Sequence, residues 1–529
     1  PELRSEIETA QTLKRLDDLY LPFRPKRRSR AETAREKGLE PLADMILRGE
    51  ADSIPIAKAA AGFVSTTPNE GVTTKDEALK GAADILAERI SENVTVRDSS
   101  RKIAWRTGRI SVLPTKKNEE KRKEFENYSD YSEPVWKVPP HRTLALNRGE
   151  KEEVLRIKFE WNREVAARAI STEYELTSHV HRKFLDECVQ DSLDRLIHPS
   201  IEREVRREIT AQAEEHAIGV FARNLRSLLL QPPLKREGVL AIDPGFRTGC
   251  KIAILDDRGQ CIHTDVVYVT GSADKRQGTL RRLAELVSKY SCGLIAIGNG
   301  TACRETEELV TQLIADHCPD CRYHIVNEAG ASIYSASTVA RDEFPDYDAT
   351  VRGTISIGRR LQDPLSELVK IDPQHIGVGM YQHDMNQRQM KESLDDVVES
   401  CVNFVGVDLN TASASLLKYV SGFSQLVAKR VVEWREASGP FANRKQLMEI
   451  AGVGKSTFTQ AAGFLKISNG AESLDQTWIH PESYNVANLV LENLSLSSGD
   501  VQATDESKNA LREKLADISV KQLAAKLDV

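Results

Sequence analysis

Three short β-rich runs beginning at Gly238, "GVLAIDPGF", "CKIAILDDRG" and "CIHTDVVYVT", restrict what this chain can fold into more than any other feature. Each is a few apolar or β-branched residues bounded by Gly, Asp or Pro, the signature of an antiparallel meander. Helical spacing follows from about Lys275 to Tyr290, then a strand in "GLIAIGNG", a helix in "TEELVTQLIADH" and a strand in "YHIVNEA". Three hairpin-linked strands that lead into alternating β and α elements give the order of an RNase H-like domain. The expected fold class is therefore multidomain and mainly α, with one α/β RNase H-like domain.

Such a sheet places the ends of its first and later strands side by side. Asp243 closes the first strand, Glu328 closes a later one in "IVNEAG", and Asp363 follows a helix in "RRLQDPLSEL". Three carboxylates so gathered could hold Mg²⁺ for in-line attack on a phosphodiester. The same residues have structural readings: Asp243 before Pro-Gly suits a turn, and Asp363 before Pro364 suits a helix N-cap. "GNGTACRE" follows a strand and opens a helix, but Cys303 replaces the last glycine of a dinucleotide fingerprint. His317, Cys318, Cys321 and His324 lack the second CxxC pair of a strong zinc signature.

Residues 1–236 are rich in Glu, Arg, Ala and Leu, with helical spacing in "VLRIKFEWNREVAARAI" and "FLDECVQDSLDRLI". Two basic clusters stand out. Arg24, Lys26, Arg27, Arg28 and Arg30 are five basic residues in seven, and Arg101 to Lys123 holds nine against two Glu. Each is either a phosphate-contacting patch or a solvated face. "PTKKNEEKRKEFENYSDYSEP" reads as a mobile loop.

After residue 372 the strand signal ends, and an internal echo takes over. "YVSGFSQLVAKRVVEW" and "EIAGVGKSTFTQAAGF" align with Gly422 on Gly452, thirty residues apart. Each unit reads helix, apolar residue, Gly, apolar residue, helix, which is the helix-hairpin-helix pattern. A glycine lets the hairpin backbone approach a phosphate, and the N–H groups opening the next helix point at that anion. Gly422, Gly452, Gly454 and Lys455 are the candidate contacts, and a side chain at Gly452 or Gly454 should block the approach. The embedded GKST is not a Walker loop, because Glu449 stands where the first glycine belongs and helical rather than strand spacing precedes it.

A chain of 529 residues suffices for about three or four domains. No apolar run is long enough for a membrane span and no secretory signal opens the chain, so a cytoplasmic location is expected. The net charge of −6 gives no global attraction to phosphate, so any nucleic-acid site must be local. Eight scattered cysteines suit reduced thiols. No cofactor is required by these patterns beyond the Mg²⁺ the three acids could bind, and a monomer is expected.

Three stretches together carry a resemblance. "LYLPFRPKRRSRAETAREKGLEPLA", "LAIDPGFRTGCKIA" with "GNGTACRETEEL", and "ESCVNFVGVDLNTAS" with the tandem hairpins and "HPESY" resemble the Tex family of bacterial transcription accessory factors over nearly the whole chain. The resemblance implies a helical N-terminal region with a helix-turn-helix element, a YqgF domain of RuvC and RNase H-like fold, and a helix-hairpin-helix domain. It also implies further N-terminal residues and a C-terminal OB-fold RNA-binding domain outside this sequence. By position the YqgF acids correspond to Asp243, Glu328 and Asp363, although the family has no established nuclease role.

The expected organisation is a helical region at 1–236, the YqgF domain at 237–372, a helical connector at 373–404, the tandem hairpins at 405–470 and a helical segment at 471–529. The expected function is a nucleic-acid-binding transcription accessory factor that grips RNA or DNA phosphates without reading sequence. The alternatives are a Mg²⁺-dependent RuvC-like nuclease and a scaffold that associates with RNA polymerase.

Overall fold

The computed structural model describes residues 2–24, 28–49, 55–64, 71–115, 117–234, 237–376, 379, 381–468, 470–493 and 496–497. The chain divides into two compact units, Pro1–Ala217 and Ile218–Val529. Among the described residues no helix is long and apolar enough to cross a membrane.

In the first unit, α1 (Lys75–Glu92) begins at Thr74, whose hydroxyl accepts from the Glu77 N–H at 3.2 Å. Its Ala78, Ala82, Ile85, Leu86 and Ile90 are buried in the core of this unit. Asn93 ends α1 and caps α2 (Val94–Thr107), accepting from the Val96 N–H at 3.0 Å. A three-stranded antiparallel sheet packs into the same core: β1 (Arg109–Pro114), β2 (Ser132–Pro134) and β3 (Leu155–Glu160), in the order β2-β1-β3.

This sheet corrects the expectation of helix across "VLRIKFEWNREVAARAI". Leu155, Ile157 and Phe159 are buried while Arg156, Lys158 and Glu160 are exposed, a period of two that pairs Phe159 with Ile110 and Ile157 with Val112. The helix starts only at Arg163, after the Asn162 cap. The expected mobile loop is also ordered in part. Its Glu119–Tyr128 stretch forms successive 3₁₀ turns that bury Phe125.

The second unit opens on the end of a long helix, His198–Leu229, and then forms β4 (Gly238–Asp243), β5 (Cys250–Leu255) and β6 (Cys261–Val267), the expected meander. Then come α3 (Ala273–Tyr290), β7 (Cys292–Gly298), α4 (Cys303–His317) and β8 (Arg322–Val326). The sheet order is β6-β5-β4-β7-β8, with β4 antiparallel to β5 and parallel to β7. This is the RNase H-like arrangement. Alternate residues of β4 serve two cores. Leu240 and Ile242 pack with Leu280, Leu283, Leu309 and Val310 of α3 and α4, whereas Val239 and Ala241 pack with Ile355 and Ile357 of α5 (Ala349–Gln362). Burial on both faces explains the near-continuous apolar run of this central strand.

Beyond α5 the described residues are mainly helical, with α6 (Pro364–Leu368), α7 (Gln387–Val405), α8 (Ala414–Leu417), α9 (Gln425–Ser438) and α10 (Lys455–Ala461). Among the described residues the expected absence of strands is nearly met, since only the two-residue strands β9 (Val407–Asp408) and β10 (Leu465–Lys466) pair here, in parallel. Arg444 fastens the following segment. Its side chain is 1% exposed and donates to the carbonyls of Ile479 at 2.8 Å and Asp475 at 3.0 Å, and to the Tyr484 hydroxyl at 3.1 Å.

Candidate nucleic-acid interface

The two hairpins have the same turn. In the first, the Phe423 N–H donates to the Val420 carbonyl at 2.9 Å, and in the second the Val453 N–H donates to the Ile450 carbonyl at 3.0 Å. The third residue of each turn is Gly422 (φ 84°) or Gly452 (φ 98°), a left-handed conformation that disfavours any side chain. Val420, Phe423, Ile450 and Val453 are buried and hold the turns to the domain.

The turns also pack reciprocally. A Cβ at Gly422 would stand 3.0 Å from Gln460 Cβ and 3.3 Å from the Thr457 carbonyl, both on α10. A Cβ at Gly452 would stand 3.2 Å from Arg430 Nη1 and 3.4 Å from Val427 Cγ2, both on α9. Arg430 in turn donates to the Ala451 carbonyl at 2.7 Å. Each glycine's missing side chain thus makes room for the other hairpin's second helix. A substituent at Gly452 would press on Arg430 and Val427, which corrects the expectation that it would act on a phosphate alone.

The hairpins differ at the helix start. Ser424 caps α9, its hydroxyl accepting from the Val427 N–H at 3.3 Å. Gly454 caps α10 with no side chain, at an ordinary φ of −87° and with nothing within 4 Å of its Cβ position. Gly454, Lys455 and Ser456 are all exposed. Among the described residues no N-cap side chain accepts from the first N–H groups of α10. A 3₁₀ helix, Arg444–Glu449, precedes this turn where a Walker loop would need a strand.

The RNase H-like domain brings two of its three candidate acids together. Burial pushes the Asp243 carboxyl up, partly opposed by Lys251 across the β4–β5 pair. Burial, then the Asp243 charge, pushes Glu328 up as well. The glycines of "GNG" make room for Glu328: a Cβ at Gly298 would lie 2.8 Å from its Oε2, and one at Gly300 2.6 Å from its Oε1. That carboxylate, rather than a dinucleotide, accounts for the glycine spacing.

Asp363 does not join them. It takes its capping role at the start of α6, accepting from the Ser366 N–H at 3.1 Å. The charged side chain of α5 near Glu328 is instead Arg360, 4% exposed, whose Nη1 donates to the carbonyls of Asn327 at 2.6 Å and Ala329 at 2.8 Å. Among the described residues no three His, Cys, Asp or Glu side chains are placed to hold a metal. Two carboxylates, with Arg360 facing Glu328 and Glu367, lack the third ligand of the three-carboxylate Mg²⁺ cradle expected from the sequence.

The basic clusters are partly neutralised. Arg28 pairs with Glu36 at 2.9 Å on the surface, and Arg24 and Arg30 are exposed. Lys26 and Arg27 lie outside the described residues. In the second cluster Arg101 bonds Asp18 at 2.7 Å and Glu204 at 2.6 Å, while Lys117 and Lys121 pair with Glu153 and Glu152.

Family models match most of the chain: a Tex central region-like model at residues 52–221, a Tex protein YqgF-like domain at 237–362 and a helix-hairpin-helix motif at 402–466. The YdcI protein of Bacillus subtilis is 44% identical over 529 residues, covering 100% of this chain and 72% of its own length. The chain belongs to the Tex family. The transcriptional accessory protein Tex of Neisseria gonorrhoeae is 42% identical, with 94% of this chain and 66% of its own length covered. The S1 RNA-binding domain-containing protein 1 of Homo sapiens is 36% identical, with 96% and 51% covered. The chain therefore spans about a half to three quarters of the length of these relatives.

A further helix-hairpin-helix domain matches residues 472–527, most of it outside the described residues. Sequence reasoning takes this stretch only as a helical segment, because its glycine signal is missing: between Ala471 and Val529 the one glycine is Gly499.

Proposed function

We propose that this chain is a nucleic-acid-binding accessory factor of transcription that grips RNA or DNA backbone without sequence specificity. The observation that carries this reading is the hairpin pair inside the matched helix-hairpin-helix motif, with an exposed, side-chain-free start to α10 and Lys455 beside it. Backbone N–H groups that meet phosphate position a nucleic acid but cannot read its bases. Arg24 and Arg30 are exposed candidates for further phosphate contacts. The same reading includes a helix-turn-helix element in residues 1–236 and association of the monomer with RNA polymerase.

The RuvC-like nuclease is the weaker alternative. Asp243 and Glu328 act on one another and both are raised, as active-site acids often are, but among the described residues no third acid joins them to hold a metal. Both readings are tested by titrating the full chain with single- and double-stranded RNA and DNA, with and without Mg²⁺. Binding should fall steeply with salt, and Asp243→Asn should keep affinity within about threefold, because phosphate contacts elsewhere dominate. Robust Mg²⁺-dependent cutting that Asp243→Asn abolishes would replace this reading with the nuclease.

A further inference from the structure

A second aromatic and basic surface lies in the first unit, apart from the hairpins. α2 and the 3₁₀ turn Val135–Lys137 border a shallow cleft of 670 Å³ lined by Asp98, Arg101, Lys102, Trp105, Arg106 and Trp136. Trp136 is 62% exposed, an unusual cost for so large an apolar ring. Its turn is nevertheless fixed. The adjacent Val135 is buried, and its N–H donates to the Gly108 carbonyl at 2.9 Å. Trp105 is half-buried and packs against the core of this unit. One indole is thus set into the wall and the other is held out beside it.

The rim is cationic. The Lys137 ammonium stands over the Trp136 ring, 4.9 Å from its centroid, and among the described residues Lys102 pairs with Asp98, at 3.2 Å, which Arg101 shares. Arg106 is exposed and has no ion pair among the described residues. Arg101 is committed to Asp18 and Glu204 and forms part of the floor. Flat aromatic faces with exposed cations around them match an unpaired base and its flanking phosphates. Among the described residues no aliphatic side chain lines the cleft to hold the apolar anchor of a peptide, and a duplex keeps its base faces covered.

We propose that this cleft stacks an unpaired base of a single-stranded nucleic acid on Trp136 and Trp105, with Lys102, Arg106 and Lys137 meeting its phosphates. The inference rests on the nucleic-acid-binding reading above and adds a second site with a preference for single strands.

The test titrates the full chain with a fluorescently labelled oligodeoxythymidylate and, in parallel, with a blunt duplex. Trp136→Ala should weaken single-strand binding about tenfold and change duplex binding by less than about twofold, with an unchanged thermal melt because the ring is exposed. Trp136→Phe keeps a stacking face and should restore most of the loss. The double substitution of Arg106→Ala with Lys137→Ala should flatten the salt dependence by about 1.4 in log–log slope, roughly 0.7 for each lost single-strand contact. Unchanged single-strand affinity in Trp136→Ala, or an equal loss for duplex, overturns this inference while leaving the hairpin reading in place. No nucleic-acid binding by the unmodified chain would overturn both. Retained nucleic-acid affinity with lost binding of an acidic aromatic peptide would assign the cleft to a protein.

Discussion

Ser424 and Gly454 occupy equivalent places in the two hairpins, yet they give the following helices different starts. The Ser424 hydroxyl satisfies a donor of its own helix, so α9 has less reason to seek an outside acceptor. Gly454 leaves the first donors of α10 to solvent or a ligand and puts no Cβ in the way. The shared residues, Gly422 and Gly452, do something else: they allow the left-handed turn and admit the partner hairpin's helix. A duplicated motif here divides its labour. The repeated glycines build the pair, and the unrepeated one opens the candidate phosphate contact.

The largest effect should come from the repeated glycines. Gly422→Val or Gly452→Val forces a β-branched residue into positive φ, at roughly 1–3 kcal/mol for the backbone alone, and pushes a side chain against α10 or α9. Both variants should lower the unfolding midpoint of the second unit in urea, and any loss of binding should track that instability. A Gly452→Val protein that unfolds like its parent would break the distinction between building and binding residues.

Gly454→Val should show the opposite pattern. Its φ of −87° and ψ of 178° are extended backbone that valine adopts readily, and the Cβ direction is open. Folding should survive, while duplex affinity should fall by about tenfold or more, the scale of losing hydrogen bonds to a charged acceptor. Full affinity in this folded variant would place the phosphate elsewhere.

The legible parts of this chain are those where a local pattern suffices. Buried strands betrayed themselves as apolar runs between turn residues, and the hairpins as an echo around two glycines that need positive φ. Long-range partners were less visible. Leu155 to Glu160 alternates with period two, but only the distant β1 makes it a strand, and the helix from Arg163 blurs its spacing. Asp363 could be read as a cap or as a ligand until α5 and α6 fixed it as the cap. The packing of the Gly452 turn against Arg430 of α9 joins the two hairpins, so no spacing rule announces it. Likewise Trp105 and Trp136 meet one cleft only through the turn pinned by Val135.

The smallest predicted effect separates charge from geometry at the second hairpin. Lys455 is the first residue of α10 and is exposed, so Lys455→Ala removes a positive charge while leaving the Gly454 backbone and the buried Ile450 and Val453 in place. If Lys455 meets one phosphate, its loss should weaken binding several-fold and equally across sequences. It should also reduce the salt slope by about one, from released counterions no longer being displaced. Backbone donors would remain, so the loss should be smaller than for Gly454→Val. ATP should neither bind nor compete, because Glu449 stands in place of the first Walker glycine and a 3₁₀ helix in place of the strand. An unchanged salt slope would remove Lys455 from the interface, and nucleotide binding lost on Lys455→Ala would return GKST to the role of a phosphate loop.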